Sequence, residues 1–235
     1  MIAKGFEKLI EIGNGYMIEA KNASIKVIAL TDEIRVRVSF DRKFVESSYA
    51  LVTTAWDDNL DNLFADERKR IEAAKLECTE DDKKIVFKTK KYILTLRKAT
   101  LSFTLEDIFG DIIYKDLKER AFDKDYLGRV SHYSLLDVEK DHFYGFGEKT
   151  GHLDKKGRRL RMNPKDAIGH NPETGEPLYK HIPFYIRINE DIKKPLGLFY
   201  NNSYDAVFDM CNEISGYWDR YTYYQAEGGD IDLFF

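Results

Sequence analysis

The chain has 235 residues, of which 43% are hydrophobic and 14% aromatic, enough for the core of one large domain or two small ones. Its net charge of −4 gives no support for a nucleic-acid partner or an anionic membrane surface. No apolar run approaches the roughly 18–20 residues of a transmembrane helix, and the charged N-terminal residues contain no apolar signal segment. Cys78 and Cys211 lie far apart without CxxC spacing, so we expect reduced thiols and a cytoplasmic protein.

The first half of the chain alternates between apolar and polar residues with a period of two, which is typical of β-strands. In 34–40 the pattern predicts that Ile34 and every second residue after it face a core, while Arg35, Arg37 and Ser39 face water. Further strands are expected at ASIKVIAL, KIVFKTK, KYILTLRK, LSFTLED, DIIYKD, HYSLLDV, PFYIRI, PLGLFYN, AVFDM and TYYQAE. Many strands separated by polar turns indicate an antiparallel sandwich or barrel.

Two local features interrupt the strands. Residues 107–111 read as a turn in which Gly110 can adopt a positive φ, so LSFTLED and DIIYKD should form a hairpin. Residues 58–75 combine helix-forming residues with Leu60, Leu63 and Ile71 at roughly helical spacing, which predicts a short surface helix.

The stretch 143–186 is unlike the rest of the chain and reads as one long ordered loop. All five histidines lie between 132 and 181, all five prolines between 164 and 195, and glycines recur throughout. Loops of this length are usually functional or disordered, and the apolar residues scattered through this one argue against disorder.

Side chains of this stretch suit a neutral polyhydroxylated ligand, because carboxylates and amides satisfy hydroxyls while aromatic rings cover apolar faces. On composition alone, sugar binding and a purely structural loop both stay open. The candidate residues are Asn163, Asp166, Asn171, Tyr179 and Lys180.

Other chemistries find less support in the same stretch. In 145–151, Glu148 occupies the position where a phosphate-binding loop needs glycine, so nucleotide binding is not expected. The histidines lack metal-ligand spacing, and neither a metal nor another cofactor is predicted. The basic run 155–161 is interpreted as a tight hairpin whose arginines pair with nearby carboxylates such as Glu148 and Asp154.

From 143 onward the chain resembles the glycoside hydrolase family 31 α-glucosidases and their relatives. The residues that carry the resemblance occur in the family's order and spacing: FYGFGEKTG (143–151), LDKKGRRLRM (153–162), Asp166-Ala167, YKHIPFYI (179–186), GLFYNNS (197–203) and EGGDIDLFF (227–235). The resemblance implies that residues 1–235 are the N-terminal β-sandwich domain of such an enzyme, similar to the galactose-mutarotase super-sandwich.

In that family the sandwich precedes a catalytic (β/α)₈ barrel that carries both catalytic aspartates of a retaining hydrolysis. The chain ends in an apolar run at 233–235, before a barrel of about 250 residues could begin. We therefore expect a fragment that is inactive alone and whose partners are α-linked glucosides or related oligosaccharides and its own barrel. The barrel-facing surface also predicts a possible homo-oligomer.

The resemblance assigns substrate binding to one residue of this chain, Asp166, which matches an aspartate that hydrogen-bonds substrate hydroxyls at the mouth of the barrel. A departure is Asn163, where the family often has an aromatic residue, and this affects the sugar preference. The family also includes xylosidases, lyases and transglycosylases, among which these residues do not choose.

Two further hypotheses belong to other classes. One is a stand-alone carbohydrate-binding module that uses Asp166, Tyr179 and a nearby tryptophan. The other is a mutarotase-like aldose epimerase, whose acid–base pair would come from His142, His152 and Glu148.

Overall fold

The alternating sequence folds into strands throughout the part of the chain that the computed structural model describes. That part comprises residues 1–31, 33–45, 48–54, 69–70, 73–171, 173, 175–176, 178–218 and 220–235. The strands within it are Phe6–Ile12 (β1), Gly15–Ala20 (β2), Ala23–Ala29 (β3), Ile34–Ser39 (β4), Thr53–Thr54 (β5), Lys69–Arg70 (β6), Glu77–Glu80 (β7), Lys84–Lys88 (β8), Tyr92–Arg97 (β9), Ser102–Asp107 (β10), Ile112–Lys115 (β11), Phe122–Lys124 (β12), Val130–Leu135 (β13), Asp141–Gly145 (β14), Arg159–Met162 (β15), Phe184–Asn189 (β16), Leu196–Tyr200 (β17), Ala206–Asp209 (β18), Tyr221–Ala226 (β19) and Ile231–Phe234 (β20).

Three antiparallel sheets make up the fold. The large sheet has eight strands in the order β1-β2-β3-β4-β20-β17-β16-β14. The meander sheet has the order β11-β10-β9-β8-β7, and the third sheet has the order β12-β13-β19-β18-β15. The short strands β5 and β6 form a separate parallel pair. The mostly-β antiparallel sandwich that the sequence predicts is confirmed, including the hairpin at 107–111 that pairs β10 with β11.

One continuous core joins the three sheets, because the inner faces of the two smaller sheets both pack against the large one. Tyr16 of the large sheet contacts Phe87 of the meander sheet, with ring centroids 5.6 Å apart. Tyr200 of the large sheet stacks on Tyr224 of the third sheet at 4.1 Å. The apolar positions of β4 point into this core, as the alternation predicts.

The expectation that Arg35, Arg37 and Ser39 face water is wrong, since all three are buried. Two nitrogens of Arg35 donate to the carboxylate of Asp232, each at 2.7 Å, and Arg37 donates to the Val45 carbonyl at 2.8 Å. The chain after β4 covers this outer face. Alternation identifies the face on which a side chain lies, but it does not show whether another segment covers that face.

The predicted surface helix at 58–75 falls largely outside the described residues. Where that stretch is described, Lys69–Arg70 is extended and pairs with Thr53–Thr54, and 73–76 is not helical. No helix long and apolar enough to cross a membrane occurs in the described ranges. Cys78 and Cys211 are free thiols, as expected.

The stretch 143–186 is not one uninterrupted loop. Its ends lie in β14 and β16, which pair with each other so that Gly145 faces Tyr185. Near its middle, β15 joins the third sheet by pairing with β18. Two shorter loops result, 146–158 and 163–183, and the second is called the site loop below.

Candidate functional site

The site loop starts and ends on rigid structure, because it leaves β15 at Met162 and enters β16 at Phe184. Met162 pairs with Ala206 in the third sheet, and Phe184 pairs with Phe199 in the large sheet. The loop therefore connects the two sheets of the sandwich at one end. His181 fastens its return, with Nδ1 3.2 Å from the Met162 carbonyl and Nε2 2.9 Å from the Asn202 carbonyl.

A buried ion pair attaches the middle of the site loop to the preceding loop. The side chain of Lys149 is completely buried, and its Nζ lies 3.3 Å from Oε2 of Glu176. The same ammonium donates to the Arg161 carbonyl at 2.5 Å. A buried ammonium is strongly destabilised without such partners, so this pair fixes where the loop lies.

A second buried lysine organises the loop 146–158. Lys155 Nζ donates to the carbonyls of Lys149, Thr150 and His152 at 3.1, 3.1 and 2.6 Å. Burial lowers the pKa of this lysine below its ordinary value. Gly151 adopts a positive φ of +83° in the same turn, a conformation that glycine adopts without steric cost.

On this scaffold Asp166 is exposed and makes no hydrogen bond or ion pair with any residue that the structure describes. Tyr179 is 55% exposed and is likewise without a hydrogen bond within the described ranges. A carboxylate and an aromatic ring of one anchored loop are thus both available to a ligand.

The other three predicted sugar-binding residues are occupied by protein partners. The amide of Asn163 donates to Asp205, and Lys180 pairs with Glu148 at 2.9 Å. The side-chain oxygen of Asn171 accepts a hydrogen bond from the Glu173 amide at 2.8 Å. These side chains shape the loop. The bond to Asp205 also gives Asn163 a structural role at the position where the family often has an aromatic residue.

Exposed apolar side chains lie on the site loop and beside it. The sequence did not indicate that they form one group. Ile168 is 94% exposed, Tyr204 54%, Phe184 39% and Ile182 37%. The alternation within PFYIRI contained a signal for Phe184, since Tyr185 takes the buried side of that strand. No sequence pattern indicated that Tyr204 would lie next to Gly228, a proximity that only the fold creates.

The residues of the epimerase hypothesis are engaged elsewhere. His142 Nδ1 lies 2.7 Å from Asp154 and Nε2 lies 2.9 Å from Glu190, while Glu148 pairs with Lys180. The hydrogen bond to Asp154, assisted by the one to Glu190, raises the pKa of His142 above its ordinary value. No contact joins His142 to Glu148 or to the exposed His152 in the described structure, so the structure does not bring this acid–base set together.

The predicted carboxylate partners of the basic run 155–161 are wrong. Glu148 and Asp154 do not receive its arginines, since Lys180 and His142 take those carboxylates. Arg158 instead donates to the backbone carbonyl of Glu173 at 3.0 Å. Within the described ranges, no cluster of three or more His, Cys, Asp or Glu side chains could hold a metal ion.

The one buried histidine cluster belongs to the core. His132 lies 2.9 Å from Asp116 and 2.9 Å from the Tyr200 hydroxyl, and Tyr114 donates to Asp116 at 2.9 Å. These side chains are essentially inaccessible to solvent. Burial raises the pKa of the adjacent Tyr185 to about 12. The cluster satisfies polar groups inside the sandwich and offers no entry to a ligand.

A comparison with known families identifies this scaffold. Residues 24–209, most of the chain, match the model described as the glycosyl hydrolase 31 N-terminal galactose mutarotase-like domain. The chain belongs to this family. The galactose-mutarotase-like fold that the sequence predicts is thereby confirmed for this family 31 domain.

Relatives and solved structures agree with the assignment. Alpha-glucosidase 2 of Bacillus thermoamyloliquefaciens is 34% identical over 157 residues, which are 66% of this chain and 19% of that protein. An alpha-glucosidase of Saccharolobus solfataricus is 36% identical over 75 residues, 32% of this chain and 10% of that protein. The GH31 dextranase of Flavobacterium johnsoniae, complexed with glucose, matches all of the chain with a TM-score of 0.80 and 20% identity, over 26% of that protein. The chain therefore spans a fifth or less of the curated relatives it matches.

Proposed function

We propose that this family 31 domain is the N-terminal part of a retaining glycosidase that hydrolyses α-glucosides. In this proposal the sandwich supports a catalytic (β/α)₈ barrel and contributes the site loop to the substrate site. The names of the two curated relatives, both α-glucosidases, support the substrate class. The attacking carboxylate and the acid–base carboxylate of the retaining mechanism would both come from the barrel.

The observation that carries the proposal is the state of Asp166. Its carboxylate is exposed and unpaired among the described residues, while the loop around it is anchored by the buried pair of Lys149 and Glu176. A carboxylate on an anchored loop that has no partner among the described residues is suited to accept hydrogen bonds from sugar hydroxyls. Charged hydrogen bonds of this kind contribute roughly 1.5–3 kcal/mol.

The test is the replacement Asp166→Ala in the full-length enzyme, assayed with α-glucosides. Loss of one charged hydrogen bond should lower kcat/KM by about 10- to 150-fold and leave the melting temperature unchanged. Asp82→Ala is the matched control, because Asp82 is also an exposed aspartate but lies in the turn between β7 and β8. Wild-type kinetics for Asp166→Ala would refute this role.

A stand-alone carbohydrate-binding module is the second candidate, favoured by the exposure of Tyr179 on the loop that carries Asp166. It predicts that the 235-residue chain binds maltose with millimolar affinity through the site loop and loses this binding in Asp166→Ala, and a flat titration would count against it. The first proposal predicts that the chain alone hydrolyses nothing. No observation favours the epimerase over these two.

The remaining expectations are part of the same proposal. The unpaired Cys78 and Cys211 agree with a cytoplasmic location, which cell fractionation can test. The exposed apolar side chains around the site loop agree with a barrel contact and with self-association of the isolated chain. Light scattering that shows a strict monomer would contradict the self-association.

A further inference from the structure

A second cleft lies away from the site loop, between the meander sheet and the third sheet. A cavity of about 900 Å³ opens there, lined by Arg97, Thr104, Lys115, Glu119, Tyr217 and Trp218 among others. A neighbouring cavity of about 450 Å³ shares Lys115 and Leu135 with it. The two cavities adjoin at these residues and are together called the sheet-junction groove below. Its larger part has the volume of ordinary small-molecule sites, about 300–1,000 Å³.

We propose that the sheet-junction groove binds a linear oligosaccharide at a site separate from the site loop. The sugar class rests on the proposed function, while the location and the binding residues rest on the groove itself. A cavity of about 900 Å³ with a second one beside it has room for more than one sugar unit.

The exposed ring of Tyr217 provides the platform that a sugar face requires. Tyr217 is 85% exposed, and its ring meets that of Trp218 edge-on, with centroids 5.0 Å apart and planes at 86°. Trp218 is fixed from behind, since it packs against the buried cluster of Leu117, Tyr133, Tyr221 and Tyr223. Ser215 Oγ accepts hydrogen bonds from both backbone amides, at 3.2 and 3.1 Å. Trp218 and the backbone of Tyr217 are therefore held in place, while the ring of Tyr217 is open to solvent.

Polar side chains line the same cavity as Tyr217 and Trp218. The side chains of Arg97 and Lys115 are exposed and make no ion pair with the described residues. Lys118 and Glu119 neutralise each other at 3.3 Å. Cationic donors beside an aromatic ring match the hydroxyls and the apolar face of a sugar.

The groove and the site loop lie at opposite ends of the third sheet. Val130, at the start of β13, pairs with Ala226, which pairs with Ala206 beside the origin of the site loop. At the other end of β13, Leu135 pairs with Tyr221 next to the groove. The intervening strand spans about 17 Å at roughly 3.4 Å per residue, so one sugar unit cannot reach both places. Binding here would tether a polymeric substrate without occupying the loop.

The first experiment is affinity electrophoresis of the 235-residue chain through gels containing soluble starch or dextran. We expect retardation of the wild-type chain and loss of about 2- to 10-fold in affinity for Tyr217→Ala, since an aromatic contact contributes about 0.5–1.5 kcal/mol. Tyr126→Ala is the matched control, because Tyr126 is 92% exposed but lies outside the groove. It should migrate as the wild-type chain does.

A fluorescence titration tests the same site directly. The chain has two tryptophans, so in a Trp56→Phe background the emission comes from Trp218. Maltoheptaose or isomaltohexaose should shift this emission with a millimolar Kd, and Lys115→Met should weaken the titration. A shift caused by inorganic phosphate and not by either sugar would overturn the proposal, because it would make the groove an anion site.

Asp166→Ala separates this inference from the proposed function. Sugar binding that survives Asp166→Ala and weakens in Tyr217→Ala supports the groove, whatever the kinetics of the full-length enzyme. Sugar binding with the opposite dependence places the ligand on the site loop and overturns the inference. Absence of retardation and of any fluorescence change also overturns it, but leaves the kinetic test of Asp166 unaffected.

Discussion

The pair of Lys149 and Glu176 determines whether the site loop is held against the sandwich, and Glu176→Ala tests this directly. The two charges lie 3.3 Å apart, and their side chains are 0% and 12% exposed. At an effective dielectric constant of about 20, their attraction is roughly 5 kcal/mol before desolvation is subtracted. Removing one partner of a fully buried pair typically costs about 3–5 kcal/mol.

The expected cost for Glu176→Ala is smaller, about 2–3 kcal/mol. Lys149 keeps the Arg161 carbonyl as an acceptor at 2.5 Å, and Glu176 lies at the edge of the buried region. A loop at the surface can also open locally and rehydrate the ammonium, so the cost should appear in local opening and much less in global unfolding. Amide exchange within 163–183 should therefore accelerate by roughly 30- to 150-fold.

Hydrogen exchange measured by NMR is the assay, with the Gly175 amide as the reporter because it donates to the Asn171 carbonyl at 2.7 Å inside the loop. Glu173→Ala is the matched control, since Glu173 is an exposed glutamate of the same loop. The double replacement Lys149→Met with Glu176→Leu should restore most of the protection. Equal exchange rates in Glu176→Ala and Glu173→Ala would refute the reasoning.

Three further predictions concern stability. Asp116→Ala should lower the free energy of unfolding by about 3–5 kcal/mol, because it leaves buried donors, His132 among them, without an acceptor. Urea denaturation measures this free energy. The pKa of His142 is raised in the folded protein, so its bond to Asp154 stabilises the fold fully below the ordinary histidine pKa of 6.5. This stability is lost as the pH rises through the folded pKa. His142→Asn should therefore flatten the pH profile of the free energy of unfolding. Gly145→Ala should cost about 2–3 kcal/mol, since φ is +126° and a Cβ would lie 2.9 Å from a backbone oxygen of β16.

Two of these predictions have a control replacement in the chain. Asp82→Ala removes an exposed carboxylate and should change stability by less than about 0.5 kcal/mol. Gly110→Ala has a φ of +90° with open space around it, so it should cost only about 1–2 kcal/mol of backbone strain. A pH profile of His142→Asn that is parallel to the wild-type profile would show that the ion pairs of His142 do not set the slope. An equal cost for the two glycine replacements would show that contact with β16 is unimportant.

The sequence by itself is sufficient for the family and for many of the strands, although β1, β2 and β15 are not among those it predicts. Alternation with a period of two is a local property, so β8 to β11 and their hairpin could be read directly. The family resemblance required only the order and spacing of short motifs. The position of Asp166 within such a motif identifies it. Its local chemistry does not, because exposed aspartates in loops are common.

Other features follow only from the tertiary structure, because they depend on contacts between residues that are distant in the chain. The alternation places Arg35 on a water-facing side, but Arg35 is buried, and its guanidinium pairs there with Asp232. In the sequence Lys149 belongs to the glycine-rich motif 145–151, which gives no sign of a partner. The fold brings Glu176 next to its ammonium group. The sheet-junction groove combines β9 to β11 with Tyr217 and Trp218, which lie about a hundred residues further on. Local pattern determines which residues form a strand and which face they share. Whether a face is covered, and by which charge, depends on long-range packing that no short window of sequence contains.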